Sequence, residues 1–413
     1  MSFKSQKDFT RFDMKKKPYR EQWFLRPVTW ILSFPDVYKH KTKITKINMK
    51  GLKPPYILLG NHNSFLDFKV ATYAIFPHRA NYIVAIDGFI KREKLMRLAG
   101  CICKRKFTND IILIRQLKRV IENGDILVIY PEARYSLCGT NAILPDSVGK
   151  LVKLLNVPLV TMITHGHHIH APFWNLEERG NRVESTMNQL LTKEQVASLS
   201  INDINKKISE TFIYDDFAWQ RDNKISITYQ NRAKGLHKVL YQCPNCQTEF
   251  KMISDGTRLS CDSCHKEWEM DEYGQLHALT GITEFAHIPD WYQWERLNVK
   301  NEVMEGTYHF ESTVRIDSLP NSNGFILLGD GNLIHDMNGF VLTGVYNNEP
   351  YIVTKTVDSL YSCHIEYDYL GKYGDCIDLN TLEDTYYIYP YGDNFSVTKI
   401  ALATEELYKS KDR

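Results

Sequence analysis

The sequence predicts an α/β domain with a mainly parallel sheet flanked by helices, followed by a cysteine-rich unit and a small antiparallel β-domain. Three observations carry this. Between about 55 and 235, short apolar runs that end in turns alternate with helix-like stretches. Two Cys-x-x-Cys pairs stand at 243–246 and 261–264. Beyond about 305, strand-like runs are separated by Asn-Gly and Asp-Gly turns. With 413 residues, 43% of them hydrophobic, the chain has material for two or three cores.

The runs of the first domain are Tyr56–Leu59 ending at Gly60, Tyr82–Ala85 ending near Asp87-Gly88, Ile126–Tyr130 ending at Pro131, and Val157–Ile163 ending near Gly166. Continuous apolar strands of this kind belong to a sheet covered on both faces. Helices are expected over Asp110–Asn123 and Ser147–Leu155, with capping signals at Thr192-x-x-Gln195 and Ser200-x-x-Asp203. In such sheets the site lies beyond the C-terminal ends of the strands. In the last region, turns are expected at Asn323-Gly324, Asp330-Gly331, Asn338-Gly339 and Tyr391-Gly392-Asp393, and a helix over Thr404–Ser410. A small barrel or sandwich closed by that helix fits. The boundaries read as 1–50, a basic segment; 51–238, the α/β domain; 239–275, the cysteine-rich unit; and 280–413, the β-rich domain.

A formal net charge of +2 conceals a polarity. Residues 1–53 carry fourteen Lys/Arg against four Asp/Glu, whereas 281–413 carry nine against twenty-one. A basic leading segment with Phe9, Phe12, Tyr19, Trp23, Phe24, Trp30 and Phe34 suits an anionic partner, nucleic acid or bilayer. It reads equally as an amphipathic helix in a headgroup layer or as a helix packed on the next domain through Trp23, Leu25 and Trp30. The apolar stretch Trp23–Leu32 is too short to span a membrane and is broken by Arg26 and Pro27. No signal peptide is expected. Nine cysteines, four of them in paired Cys-x-x-Cys, indicate metal binding in a reducing compartment, not a disulfide framework.

Chemistry concentrates after the first strand, in Gly60-Asn61-His62-Asn63-Ser64-Phe65-Leu66-Asp67. Of fourteen histidines, His62 alone has an aspartate five positions later. The histidine falls in the strand-to-helix turn and the aspartate one turn into the helix, so the two side chains can meet. A histidine suits proton removal from an attacking hydroxyl, and a carboxylate on its other nitrogen fixes the tautomer. The bland alternative is a capping histidine and an unrelated surface aspartate.

Asn61-His62-x4-Asp67, Tyr130-Pro131-Glu132-Ala133-Arg134-Tyr135-Ser136 and Val157-Pro158-Leu159-Val160-Thr161 occur in order, with a looser block at Gly100-Cys101-Ile102-Cys103-Lys104-Arg105-Lys106. Over roughly residues 20–215 the chain resembles the glycerolipid acyltransferase family, the 1-acylglycerol-3-phosphate acyltransferases among them. It departs from that pattern at Ala133, where the family has glycine. Arg134 stands one position early, and Lys106 stands where the family has arginine. The resemblance implies His62 as general base, Asp67 as its orienting acid, and Asn61 beside the substrate. It implies Arg105, Lys106 and Arg134 on the acceptor's phosphate, and Glu132 ordering the loop or binding a glycerol hydroxyl. It implies a lysophospholipid acceptor and an acyl-CoA, acyl carrier protein or acyl phosphate donor, with no catalytic metal. The expected place is the cytoplasmic face of an anionic membrane, peripherally held. The alternative is a degenerate lipid-binding or regulatory protein on the same fold. The tract His165-Gly166-His167-His168-Ile169-His170 reads as a wall of the cleft rather than a metal site.

Cys243, Cys246, Cys261 and Cys264 have the spacing of a zinc ribbon, four thiolates closing a structural tetrahedral site. His265 is not expected among the ligands. The acidic residues around Lys251, Arg258 and Lys266 leave no basic stripe, so no nucleic acid is expected.

Overall fold

Alternation of apolar side chains in four short strands lays down the first unit. In the computed structural model, residues 9–410 are described. They divide into two units, one of residues 13–104 and 110–227, the other of residues 9–12, 105–109 and 228–410. The first eight residues of the expected basic segment lie outside the described residues.

The first unit holds a seven-stranded sheet: β1 (Lys43–Ile47), β2 (Ile57–Gly60), β3 (Ala80–Ala85), β4 (Cys101–Lys104), β5 (Ile126–Ile129), β6 (Leu159–His165) and β7 (Glu184–Leu191), in the order β1-β7-β6-β2-β5-β3-β4. All neighbours are parallel except β6 and β7, so the sheet is mixed. Successive strand residues face opposite ways. Ile57, Leu59, Leu127, Ile129 and Leu159 pack beneath α4 (Ile111–Glu122), α5 (Ser147–Leu155), α7 (Lys193–Ser198) and α8 (Ile201–Thr211). Tyr56, Leu58, Ile126, Val128 and Val160 pack against α1 (Arg26–Lys39) and α2 (Asp67–Ile75). α3 (Glu93–Leu98), the single turn α6 (His167–His170) and α9 (Asp216–Asp222) complete the unit.

The two expected caps form: Thr192 and Gln195 bond reciprocally, and Ser200 accepts from the Asp203 amide. Asp110 also caps α4, accepting from the Ile112 amide. α1 packs on α2 through Trp30 on Phe76 and Phe34 on Tyr73. The same helix leaves Ile31 and Leu32 exposed, as is the preceding Trp23. Strands β1, β4 and β7 lie outside the expected apolar runs. β1, Lys-Ile-Thr-Lys-Ile, is an exposed edge without an apolar run.

In the second unit, β8 (Met252–Asp255), β9 (Arg258–Cys261), β10 (Glu267–Met270) and β11 (Leu276–Ala278) form an antiparallel sheet in the order β11-β10-β9-β8. Its β8–β9 half is a hairpin between the two cysteine pairs that ends at Cys261. After α10 (Ile288–Glu305) comes one seven-stranded antiparallel sheet, ordered β15-β14-β13-β12-β18-β17-β16. Its strands are β12 (His309–Ser318), β13 (Ile326–Asp336), β14 (Gly339–Tyr346), β15 (Glu349–Thr356), β16 (His364–Glu366), β17 (Cys376–Asn380) and β18 (Thr385–Pro390). The sheet is open, and α11 (Val397–Ser410) packs on α10. The expected barrel or sandwich is therefore replaced by a single sheet with two helices.

Asp330-Gly331 is no turn. Both residues lie inside β13, where a Cβ on Gly331 would meet the Thr343 carbonyl oxygen at 2.2 Å. Close backbone approach, not a reversal, demands this glycine. The expected Asn323-Gly324 and Asn338-Gly339 do lie in reversals, between β12 and β13 and between β13 and β14. A further reversal is at Asn347-Asn348, whose φ values of 52° and 66° suit a tight hairpin turn.

Candidate active site

Strands β6, β2 and β5 are adjacent and parallel, so the loops leaving their C-terminal ends meet at one edge of the sheet. The first loop begins at Asn61. Its side-chain amide donates to the Thr164 carbonyl at 2.9 Å and accepts from the Thr164 amide at 2.8 Å. Asn61 thus prolongs the β2–β6 pairing by one step. Both ends of its amide are occupied by backbone, and the residue is buried.

His62 follows. Its Nδ1 lies 3.0 Å from Oδ2 of Asp67, the first residue of α2. The same oxygen accepts from the amides of Asn63 at 2.7 Å and Ser64 at 2.9 Å. The aspartate reaches back over its own loop and holds the histidine against it. Burial pushes the Asp67 carboxyl up, but the bonds from His167 and then His62 outweigh it and hold the group well below the usual carboxylate range.

The β5 loop grips the other side of His62. The imidazole stacks on Tyr130 at 4.4 Å between centroids and lies 4.4 Å from the Tyr135 ring. Gly60 makes room for this, since a Cβ there would sit 2.9 Å from Tyr130 Cε1. Glu132 accepts from the His62 amide at 2.9 Å on one oxygen and from the Ala142 amide at 2.7 Å on the other. The Ser136 amide donates to the His62 carbonyl at 2.9 Å. Glu132 is therefore a loop-ordering carboxylate, each oxygen taking a backbone amide, with the Tyr214 hydroxyl also donating to Oε1 at 3.5 Å. Burial pushes its carboxyl up to about 7, against the lowering effect of the two amides and of the Arg134 charge. Ala133 has φ 56°, the left-handed region where glycine is at ease.

Residues 37–165 match the acyltransferase family model, a span that contains β1 to β6 together with His62, Asp67 and Glu132. The chain carries an acyltransferase domain. It is an enzyme of that class. The 1-acyl-sn-glycerophosphate (LPA) acyltransferase PlsC from Thermotoga maritima is similar at 11% identity and a TM-score of 0.39, covering 46% of this chain and 77% of that one. No curated protein matches the chain.

Within the acyltransferase domain the basic residues part company. Arg134 is buried in the β5 loop beside Glu132. Arg105 and Lys106 cluster instead with the second unit. The Arg105 guanidinium donates to the carbonyls of Leu319, Pro320 and Glu383 and to Thr385 Oγ1 at 2.7–3.0 Å. Lys106 Nζ lies 2.9 Å from His364 Nε2 and 3.3 Å from Asp378 Oδ2. Arg105, 2% exposed, is fully enclosed by these partners. Two of the three residues expected on the acceptor's phosphate thus bind elements of the antiparallel sheet.

The histidine tract disperses as well. His165 Nδ1 meets Asp216 at 3.0 Å and stacks on Trp219. His167 Nδ1 bonds Oδ1 of Asp67. His168 is buried between Trp174 and Phe217, and burial pushes its imidazole down to about 3. His170 sits edge-on to His40, 4.3 Å between centroids. Only His165 is partly open, so the tract is mainly a buried support and not a cleft wall. His40, His170 and Glu178 place one ligand atom each within 4.8 Å of the others. The spacing would suit an ion, but His170 Nδ1 already accepts from the Gly180 amide and Glu178 is paired with Lys39 at 2.6 Å.

The four cysteines converge. Sγ of Cys243 and Cys264, and of Cys246 and Cys261, are 3.7 Å apart, and all four lie within 4.8 Å of one another. Sulfurs about 2.3 Å from a tetrahedral zinc stand about 3.8 Å apart, so the thiols fit that ion. The knuckles repeat one geometry: Gln247 and His265, at φ 63° and 58°, each donate to the carbonyl of the cysteine four residues back at 2.8 Å. His265 serves as the turn residue. No described helix is long and apolar enough to cross a membrane.

Proposed function

We propose that the protein moves a fatty acyl group from an activated donor to the free hydroxyl of a lysophospholipid, 1-acylglycerol-3-phosphate foremost, in phospholipid synthesis. One observation carries the reading. His62 gives Nδ1 to the buried Asp67 while its side chain stays 23% exposed, so Nε2 is the nitrogen left to meet a substrate. Nε2 takes the acceptor's hydroxyl proton as that oxygen attacks the donor's acyl carbon. The imidazolium, steadied by Asp67, then returns the proton to the leaving thiolate or phosphate.

Replacing His62 with alanine and following labelled acyl transfer tests the assignment. Activity is expected to fall ~10²–10⁴-fold. Wild-type turnover would remove His62 as the base.

Arg134 supports a phosphate-bearing acceptor as the one of the three expected cations that lies in the loop around His62. Under this reading kcat/KM for lysophosphatidate exceeds that for a lysolipid lacking the phosphate, and equal values would drop the headgroup assignment. The exposed Trp23, Phe24, Ile31 and Leu32, with the exposed Lys15, Lys16 and Lys17 before them, support docking of α1 on an anionic bilayer. Substituting Ile31 and Leu32 with aspartate is expected to abolish sedimentation with phosphatidylglycerol vesicles. The four thiolates would hold structural zinc, one ion per chain by elemental analysis, lost when Cys246 and Cys264 become serine.

A further inference from the structure

Asp67 does not serve His62 alone. Three donors, the Asn63 and Ser64 amides and His62 Nδ1, converge on Oδ2. His167 Nδ1 bonds Oδ1. Among the described residues no other group bonds that oxygen. The two histidines differ in one decisive respect: His62 is 23% exposed at its side chain and His167 is 1% exposed. Only His62 can meet an acceptor.

The buried histidine is held where it is by its own supports. Asp216 accepts from the Gly166 amide at 3.1 Å and the His168 amide at 3.2 Å, and Asn181 donates to the Gly166 carbonyl at 2.9 Å. Gly166 has φ 99°, and a Cβ there would sit 2.6 Å from the Arg182 carbonyl oxygen. The turn after β6 is thus fixed on both sides of His167, whose side chain then fixes Asp67.

We infer that His167 is a positioning residue for acyl transfer: by holding Oδ1 it sets the rotation of the Asp67 carboxylate, so that Oδ2 faces His62 and keeps the His62 proton on Nδ1. The inference rests on His62 being the base. Without the bond to His167 the carboxylate turns about its Cβ–Cγ axis. A base displaced by ~1 Å loses up to ~10²-fold in rate. The effect falls on the chemical step, because His167 touches no part of the site open to substrate.

The test compares His167→Ala, His167→Asn and His167→Gln with His62→Ala, reading kcat, KM and melting. An asparagine amide nitrogen sits near the place of Nδ1 and can donate to Oδ1, whereas glutamine overreaches it. His167→Ala and His167→Gln are expected to lose ~10²-fold in kcat with KM within about twofold, and His167→Asn to recover at least about tenfold of that loss. Wild-type kcat in His167→Ala overturns the inference. So does a His167→Asn no better than His167→Gln while both melt like wild type, a comparison that stands even if the alanine variant does not fold. Full activity in His62→Ala would defeat the base assignment itself. An inactive His62→Ala beside a wild-type His167→Ala would defeat this inference alone.

Discussion

The loops after β2 and β4 leave the same sheet and each carries one of the blocks that resemble the acyltransferase family, yet their side chains find different kinds of partner. The β2 loop closes locally. His62 bonds Asp67 five residues on, and Asp67 bonds the amides of Asn63 and Ser64. The β4 loop closes at long range. Arg105 spends its guanidinium on residues 319, 320, 383 and 385, and Lys106 on residues 364 and 378. Chemistry is carried over by a motif when its residues complete one another. A cation in a matching position is free to hold a phosphate only if nothing else in the chain has claimed it.

Four outcomes would sharpen or break that contrast. Arg105→Leu leaves three carbonyls and a hydroxyl without their donor in a buried place. It is expected to cost about 3–5 kcal/mol in urea unfolding. Unchanged stability with a raised KM for lysophosphatidate would return Arg105 to the phosphate. Glu132 comes next. Its carboxyl is raised to about 7 from 4.5, so its stabilising contribution is complete below about pH 4.5 and is lost as pH rises through 7. The loss is roughly 3 kcal/mol. The advantage of wild type over Glu132→Gln is therefore expected to shrink between pH 5 and pH 7.5. A constant gap would mean that the carboxylate is ionised throughout and that the loop tolerates its charge.

Lys106→Met removes a positive charge from the buried Asp378. That carboxyl is pushed up by burial but held at about 2 by Lys106 and His364. A loss of about 2 kcal/mol at pH 7 is expected in the same unfolding assay, because His364 remains as a partner. No loss would leave the lysine free for another role. Ala133→Gly is the smallest change. Relief of a left-handed alanine should add up to ~1 kcal/mol with kcat unaltered. A destabilised variant would show that the methyl group packs where glycine cannot.

Much of the first unit was legible because its strands are continuous apolar runs whose alternate residues fill two separate cores. The bond between His62 and Asp67 was legible for the same local reason, five residues across a strand-to-helix turn. The edge strand Lys43–Ile47 was not, since exposure leaves no periodic apolar signal. α10 escaped because aromatic and charged residues mix along it, and Asp330-Gly331 misled because a dipeptide common in turns also serves where two backbones approach closely. The partners of Arg105 lie 214 to 280 residues away, beyond any local pattern. His167 left a fainter trace: a glycine followed by histidine at the end of an apolar strand, the same strand-to-turn setting that marks His62.

The central claim is that His62 and Asp67 act as one unit, and a double-mutant comparison tests it most directly. kcat is measured for His62→Ala, Asp67→Asn and the pair together on lysophosphatidate with an acyl donor. If the carboxylate works through the imidazole, each single change lowers kcat ~10²–10⁴-fold and the double variant is no slower than His62→Ala alone, within about threefold. Losses that multiply would show two independent contributions and contradict the account.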